Sequence, residues 1–169
     1  MSYRDPTYVI FDGDNDMWAY AYMKGWKENE KVDFHFDNAH ELDSMTSRAQ
    51  GEHYVKWKLR ERMQKSSAAL ALIGANTKNL YRFVRWELEL AQDLDLPIIA
   101  VNLNEQRRQD NERCPAIIRD TCAVHVPFKM KIIKHALDNW PAEYRGFGLD
   151  VRKAGARHYA DDVYGTLGL

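Results

Sequence analysis

Cysteine is nearly absent from this chain of 169 residues: only Cys114 and Cys122 occur, in neither a C-x-x-C pair nor a metal-ligand spacing. A disulfide-stapled secreted scaffold is thereby excluded, and free thiols in a reducing compartment are expected. Charge of one sign is lacking too. Lys and Arg total 24 against 25 Asp and Glu, a formal net charge of -1, which offers no broad field to nucleic acid or an anionic membrane. No run of about 18 apolar residues occurs, so no membrane-spanning helix is expected. The opening MSYRDPTYVIFD has no basic stretch followed by an apolar one, the pattern of a secretory leader. The expectation is a soluble cytoplasmic protein with no nucleic-acid and no membrane partner, of a length that one hydrophobic core can serve.

Familiar catalytic and nucleotide signatures are also missing. Gly74-Ala75-Asn76-Thr77-Lys78 follows an apolar run but has neither the G-x-G-x-x-G pattern nor the GK[ST] ending of a P-loop. Its backbone N–H groups could still face a phosphate. No histidine stands beside a Ser or Cys in a nucleophile-elbow context, so no hydrolytic triad is legible. Asp12-x-Asp14-x-Asp16 has the spacing of a calcium loop, yet Met17 occupies the sharp-turn glycine position and Met23 that of the bidentate glutamate. Calcium is excluded. The same FDGDND is similar to the opening of haloacid-dehalogenase phosphohydrolases and of NYN or PIN-type nucleases, where aspartates on several strand ends hold Mg²⁺. Here the later ends, Ile73-Gly74-Ala75-Asn76, Val101-Asn102-Leu103-Asn104 and His125-Val126-Pro127, supply no acid. No metal is expected, and a Mg²⁺-dependent phosphohydrolase or nuclease stays as the last alternative. Asp14 and Asn15 read as helix caps.

What is present is an alternation of short apolar runs with helical patterns. Thr7 to Phe11 predicts a strand, and Asp16 to Trp26, apolar almost all round, a deeply buried helix that Gly25 ends or loosens. Val32 to Phe36 predicts a second strand, and Asp37 to Gln50 a long polar loop of the kind that carries function. Glu52 to Lys65 places Val55, Leu59 and Met63 on one helical face, before the buried strand Ala68 to Ile73. Phe83 to Asp95 predicts a helix, Pro97 to Leu103 and Cys122 to Val126 two strands, and Lys129 to Asn139 a last amphipathic helix. This order implies a three-layer α/β fold with a central, mostly parallel five-stranded sheet flanked by helices. Residues 1–140 would form the domain. Residues 141–169 would be a C-terminal extension packed on it through Tyr159, Val163, Tyr164 and Leu167. Ligands of such sheets bind outside the carboxyl ends of the strands, which points to Phe11, Asp12, Asp37, Gly74 to Asn76, Asn102 to Asn104 and Pro127. His40, in the long loop, is the histidine best placed to meet a ligand.

Glu87 is the anomaly. Its helical neighbours at three and four positions either side are Phe83, Val84, Leu90 and Ala91, all apolar, whereas Glu89 has Arg85, Trp86, Gln92 and Asp93 around it. Glu87 therefore projects from the buried stripe and Glu89 from the solvent face. A carboxylate at the inner face must be paired, hydrogen-bonded, neutralised or turned into a pocket, because an isolated buried charge costs several kcal/mol. A structural glutamate met by an Arg or a helix N-terminus is the alternative to a pocket.

FDGDNDMWAY, a polar loop, LALIGANTKNLYRFVRWELELA and DLPIIAVNLN resemble the successive blocks of the bacterial TIR-like family that includes Thoeris antiphage-defence TIR proteins, over roughly residues 7 to 140. Phe83-Val84-Arg85-Trp86-Glu87 is similar to the TIR segment W-C-x-x-E, with Phe83 in place of the usual Trp. The resemblance implies a flavodoxin-like, TIR-like fold and puts the family's catalytic glutamate on Glu87. It implies NAD as substrate rather than cofactor, cleaved at the nicotinamide–ribose bond by a glycohydrolase or ADP-ribosyl-cyclase type of reaction. The product would be a cyclic or modified ADP-ribose signal that activates a downstream effector. It also implies a homo-oligomer, and leaves open a non-catalytic interaction module. Phe11, Asp12, Asp37, His40, Gly74, Asn76 and Phe83 would wall the substrate site.

Overall fold

The short apolar runs become adjacent parallel strands in the computed structural model, which describes residues 6–31, 37–38, 51–80 and 82–169. The chain order is β1 (Pro6–Ile10), α1 (Met17–Glu28), β2 (Asp37–Asn38), α2 (Glu52–Met63), β3 (Ala68–Ile73), a short 3-10 turn (Thr77–Asn79) and α3 (Phe83–Asp93). Then follow β4 (Ile98–Asn102), β5 (Ala123–Pro127), α4 (Met130–Gly146), α5 (Leu149–Arg152), β6 (Arg157–His158) and α6 (Asp161–Thr166). The sheet order is β2-β1-β3-β4-β5-β6, parallel throughout. The expected three-layer α/β architecture is present, with β6 added at the edge beside β5.

Every residue of β3, β4 and β5 is buried because helices cover both faces. Alternate side chains divide between two cores. Val9, Leu70, Leu72, Ile99, Val101 and Val124 meet Ala19 and Met23 of α1 and Ile133, Ala136 and Trp140 of α4. On the other face Tyr8, Ile10, Ala69, Ala71 and Ile73 meet Val55, Leu59 and Met63 of α2 and Val84, Leu88 and Ala91 of α3. Burying each Leu, Ile or Met here contributes roughly 1.5–3 kcal/mol relative to leaving it exposed.

Three expectations about elements change. Helix α1 is not buried all round: Ala19, Tyr20 and Met23 face the sheet, while Trp18 and Tyr22 remain 47% and 60% exposed. A helix laid on one face of a sheet hides one stripe only, and Trp18 instead packs edge-on against Tyr22 and Phe128. Gly25 does not end this helix, which continues to Glu28. Helix α4 runs through Pro141, although an interior proline costs about 3 kcal/mol. Trp140 and Tyr144, four residues apart and both buried, extend the inner face formed by Ile133 and Ala136, and that burial outweighs the local penalty. The second strand is described at Asp37–Asn38, whereas Val32 to Phe36 lie outside the described residues.

The last segment is tied into the same sheet. β6 pairs with β5, matching Val124 with Arg157 and His125 with His158. Tyr164 is buried beneath the Arg107 guanidinium, 4.1 Å from its ring centre. Asp95, at the end of α3, accepts from Tyr144 Oη at 2.7 Å and pairs with the Arg152 guanidinium.

Candidate functional site

β1 lies between β2 and β3, so the connections leaving β1 and β3 diverge at the carboxyl edge of the sheet, the switch point where ligands of such folds bind. The chain places its polar residues there. Phe11 is half-buried and stacks on Tyr20 at 4.8 Å. Asp12 is buried, and its Oδ1 accepts the backbone N–H of Asp14 at 3.0 Å and of Asn15 at 3.2 Å. Asn15 Nδ2 donates to Asp12 Oδ2 at 2.7 Å. Asp14 and Asn15 are therefore donors in a turn built around Asp12, not caps of α1 as their sequence position suggests. The capping position belongs to Asp16, and its side chain does not cap the helix.

Asp16 turns instead toward the end of β3. A β-carbon added at Gly74 would lie 2.2 Å from Asp16 Oδ2, so any larger residue must displace this carboxylate. Gly74 N–H donates to Thr77 Oγ1 at 2.8 Å, and the Thr77 hydroxyl has Asp16 Oδ2 and the Leu72 carbonyl each at 3.4 Å as acceptors. Burial, and then the Asp12 charge, raise the Asp16 carboxyl above its ordinary value; Thr77 and the Arg113 charge oppose this only in part. Asn76 is exposed and opens the 3-10 turn.

Glu87, one turn into α3, is 3% exposed, and Tyr8 Oη donates to its Oε1 at 2.7 Å. Glu89 on the same helix faces solvent and pairs with Arg85 at 2.7 Å. The distinction read from helical neighbours thus holds, with one adjustment. Val84 and Ala91 are buried, but Phe83 is 42% exposed at the mouth of the helix, its ring edge-on to Trp86 at 5.4 Å. Burial, then the Glu87 charge and hydrogen bond, hold the Tyr8 phenol well above its usual range, against the Arg62 charge from α2, so Tyr8 is a neutral donor.

One expected wall residue, Asp37, is not brought to the carboxyl edge. Asp37 lies in β2 opposite Pro6, at the amino end of β1, because the pairing register runs Pro6 to Asp37 and Thr7 to Asn38. His40 lies outside the described residues. Asn102 serves the loop after β4, its Nδ2 donating to the carbonyls of Gln106 at 2.9 Å and Arg108 at 2.8 Å. That loop folds back toward the end of β3, held by Lys78 Nζ on the Glu112 carbonyl at 2.6 Å. It brings Arg113 into electrostatic reach of both Asp16 and Asp110.

Tyr8, Asp16, Thr77 and Arg113 were not among the site residues expected from sequence. Tyr8 had a usable signal, since a phenol on the inward face of a buried strand needs an acceptor, and Glu87 needed a donor. Arg113 had none, because an irregular loop shows no periodicity that would place it. Other reactive types are muted. Burial pushes the Cys114 thiol up to about 12 and raises that of Cys122, and it pushes buried His125 down to about 4 with help from His158. Among the described residues no three His, Cys, Asp or Glu side chains gather as metal ligands, and no helix is long and apolar enough to cross a membrane.

A parallel sheet with β1 flanked by β2 and β3, carboxylates at its switch point and a buried glutamate in the helix after β3 define a flavodoxin-like α/β domain of TIR type. The family model for the Thoeris protein ThsB, TIR-like domain, matches residues 8–108, more than half of the chain. The chain belongs to this Thoeris defence family. The match runs from β1 into the loop after β4 and so includes Tyr8, Asp12, Asp16, Gly74, Phe83 and Glu87. No curated protein matches the chain.

Proposed function

We propose that this TIR-like domain cleaves NAD at the nicotinamide–ribose bond and releases a cyclic or otherwise modified ADP-ribose signal for a downstream effector, with Glu87 as its catalytic residue. The observation that carries the reading is a carboxylate kept 3% exposed within the apolar stripe of α3, which the resemblance to the TIR segment W-C-x-x-E matches to that family's catalytic glutamate. In the reaction the bond between the anomeric carbon and the pyridinium nitrogen breaks. Its electron pair goes to the ring, and nicotinamide leaves neutral. Positive charge develops on the ribose, and a fixed anion in a poorly hydrated setting stabilises it more than water does. A nucleophile, water or a group of the same NAD molecule, then closes the product and gives up its proton. No cofactor is consumed; NAD is the substrate.

The switch point at the ends of β1 and β3 suits the dinucleotide. Phe11, Asp12, Gly74 and Asn76 lie at these strand ends, Phe83 begins α3, and Arg113, in electrostatic reach of Asp16, would add positive charge for the diphosphate. Assembly into a homo-oligomer belongs to the same proposal, as the event that opens access to Glu87. A second reading has its own support: Glu87 already binds the Tyr8 hydroxyl, as a structural glutamate of an interaction module would. Cells carrying the wild-type chain or Glu87→Gln, under phage challenge, separate the two. Chromatography with mass detection should show nicotinamide and a new ADP-ribose species in the wild type alone. Unchanged pools, together with defence intact in the variant, would leave the interaction module.

A further inference from the structure

We infer that Tyr8 is the positioning residue of the site, its hydroxyl fixing the Glu87 carboxylate in the orientation that the NAD-cleaving reading requires. The inference rests on that reading and adds a second residue to it. Tyr8 and Glu87 stand 79 positions apart, yet β1 and α3 bring phenol oxygen and carboxylate oxygen to 2.7 Å. Both are sealed from solvent, Tyr8 at 0% and Glu87 at 3% exposure. Packing alone does not call for this oxygen. The next inward residue of β1, Ile10, faces the same core and is aliphatic, and a phenylalanine ring would fill the space of Tyr8 equally.

What a phenylalanine cannot do is donate. A hydrogen bond to a buried carboxylate favours its charged form and fixes the plane in which its oxygens lie. Because Tyr8 keeps its proton, the bond has one direction: phenol to carboxylate. Among the described residues, the charges that act on Tyr8 are those of Glu87 from α3 and Arg62 from α2, which oppose each other. A pre-oriented anion stabilises developing charge without reorganising during the reaction, which is where a positioning residue gains its effect.

The test compares nicotinamide release by the full chain with Tyr8, with Tyr8→Phe and with Glu87→Gln, each measured well below its own Tm. For Tyr8→Phe we expect kcat to fall about 10- to 100-fold with KM for NAD within about twofold, because an interaction made through Glu87 counts chiefly in the transition state. Should Tyr8→Phe fold poorly, 3-fluorotyrosine at position 8 supplies the second measurement. It keeps the donor, so kcat should stay near that of the wild type. Tyr8→Phe with the kcat of the wild type, beside an inactive Glu87→Gln, would overturn the role of Tyr8 and leave the enzyme standing. Glu87→Gln as active as the wild type would overturn the catalytic reading itself, and the role of Tyr8 with it.

Discussion

Asp16 and Asp110 are both buried aspartates near the carboxyl edge of one sheet, and they are treated in opposite ways. Asp110, in the loop after β4, accepts from Asn104 Nδ2 at 2.7 Å and from the backbone N–H groups of Glu112 at 2.9 Å and Arg113 at 3.1 Å. Burial alone would raise its carboxyl, but these donors and the Arg113 charge carry it below the ordinary value. Asp16, at the β1/β3 switch point, has a long contact to one hydroxyl and the like charge of Asp12 beside it, and it is raised. One carboxylate is satisfied where it builds a loop. The other is held in an unfavourable state at the edge of the sheet where ligands of such folds bind.

The comparison can be sharpened by substitution, beginning with the largest effect. Gly74→Ala drives a methyl group into Asp16 and should cost about 3 kcal/mol in denaturant unfolding, of which Asp16→Ala in the same chain should return a large part. Asp110→Asn removes an anion that three donors address and should cost about 2 kcal/mol at neutral pH. The sign with pH follows from its lowered carboxyl. The stability that Asp110 contributes is fully present above the unfolded value and is lost as pH falls through the folded one, so wild type and variant should converge in acid.

Asp16→Asn should do the reverse, gaining roughly 1 kcal/mol or less at neutral pH by removing a charge that burial and Asp12 disfavour. Its carboxyl is raised, so the penalty is present above the folded value and is relieved as pH falls through it; the variant's advantage should shrink in mild acid. The same substitution should weaken NAD turnover, and a variant both less stable and fully active would break the contrast with Asp110. Smallest is Glu89→Ala, which loses an exposed pair with Arg85 and should change stability by about 0.5 kcal/mol or less, with activity unchanged.

Sheet, strand spacing and the two glutamates of α3 were legible because they depend on local periodicity. Ala68–Ile73 reads as a buried strand from six consecutive apolar residues, and Glu87 separates from Glu89 through neighbours within one helical turn. What failed depends on contacts between distant segments. Asp37 could not be placed without the register of β2 on β1, and Pro141 reads as a stop until the burial of Trp140 and Tyr144 is known. The Asp16–Thr77 contact and the Tyr8–Glu87 bond join residues 61 and 79 positions apart. A single strand or helix holds only half of each pair.

The most direct measurement is nicotinamide release from NAD by the purified chain and by Glu87→Gln, with both shown to be folded by thermal melting. The account predicts release by the wild type in its assembled form and a loss of at least about 100-fold in the variant. Equal rates in the two, or release from neither while both assemble and bind their partner alike, would contradict it.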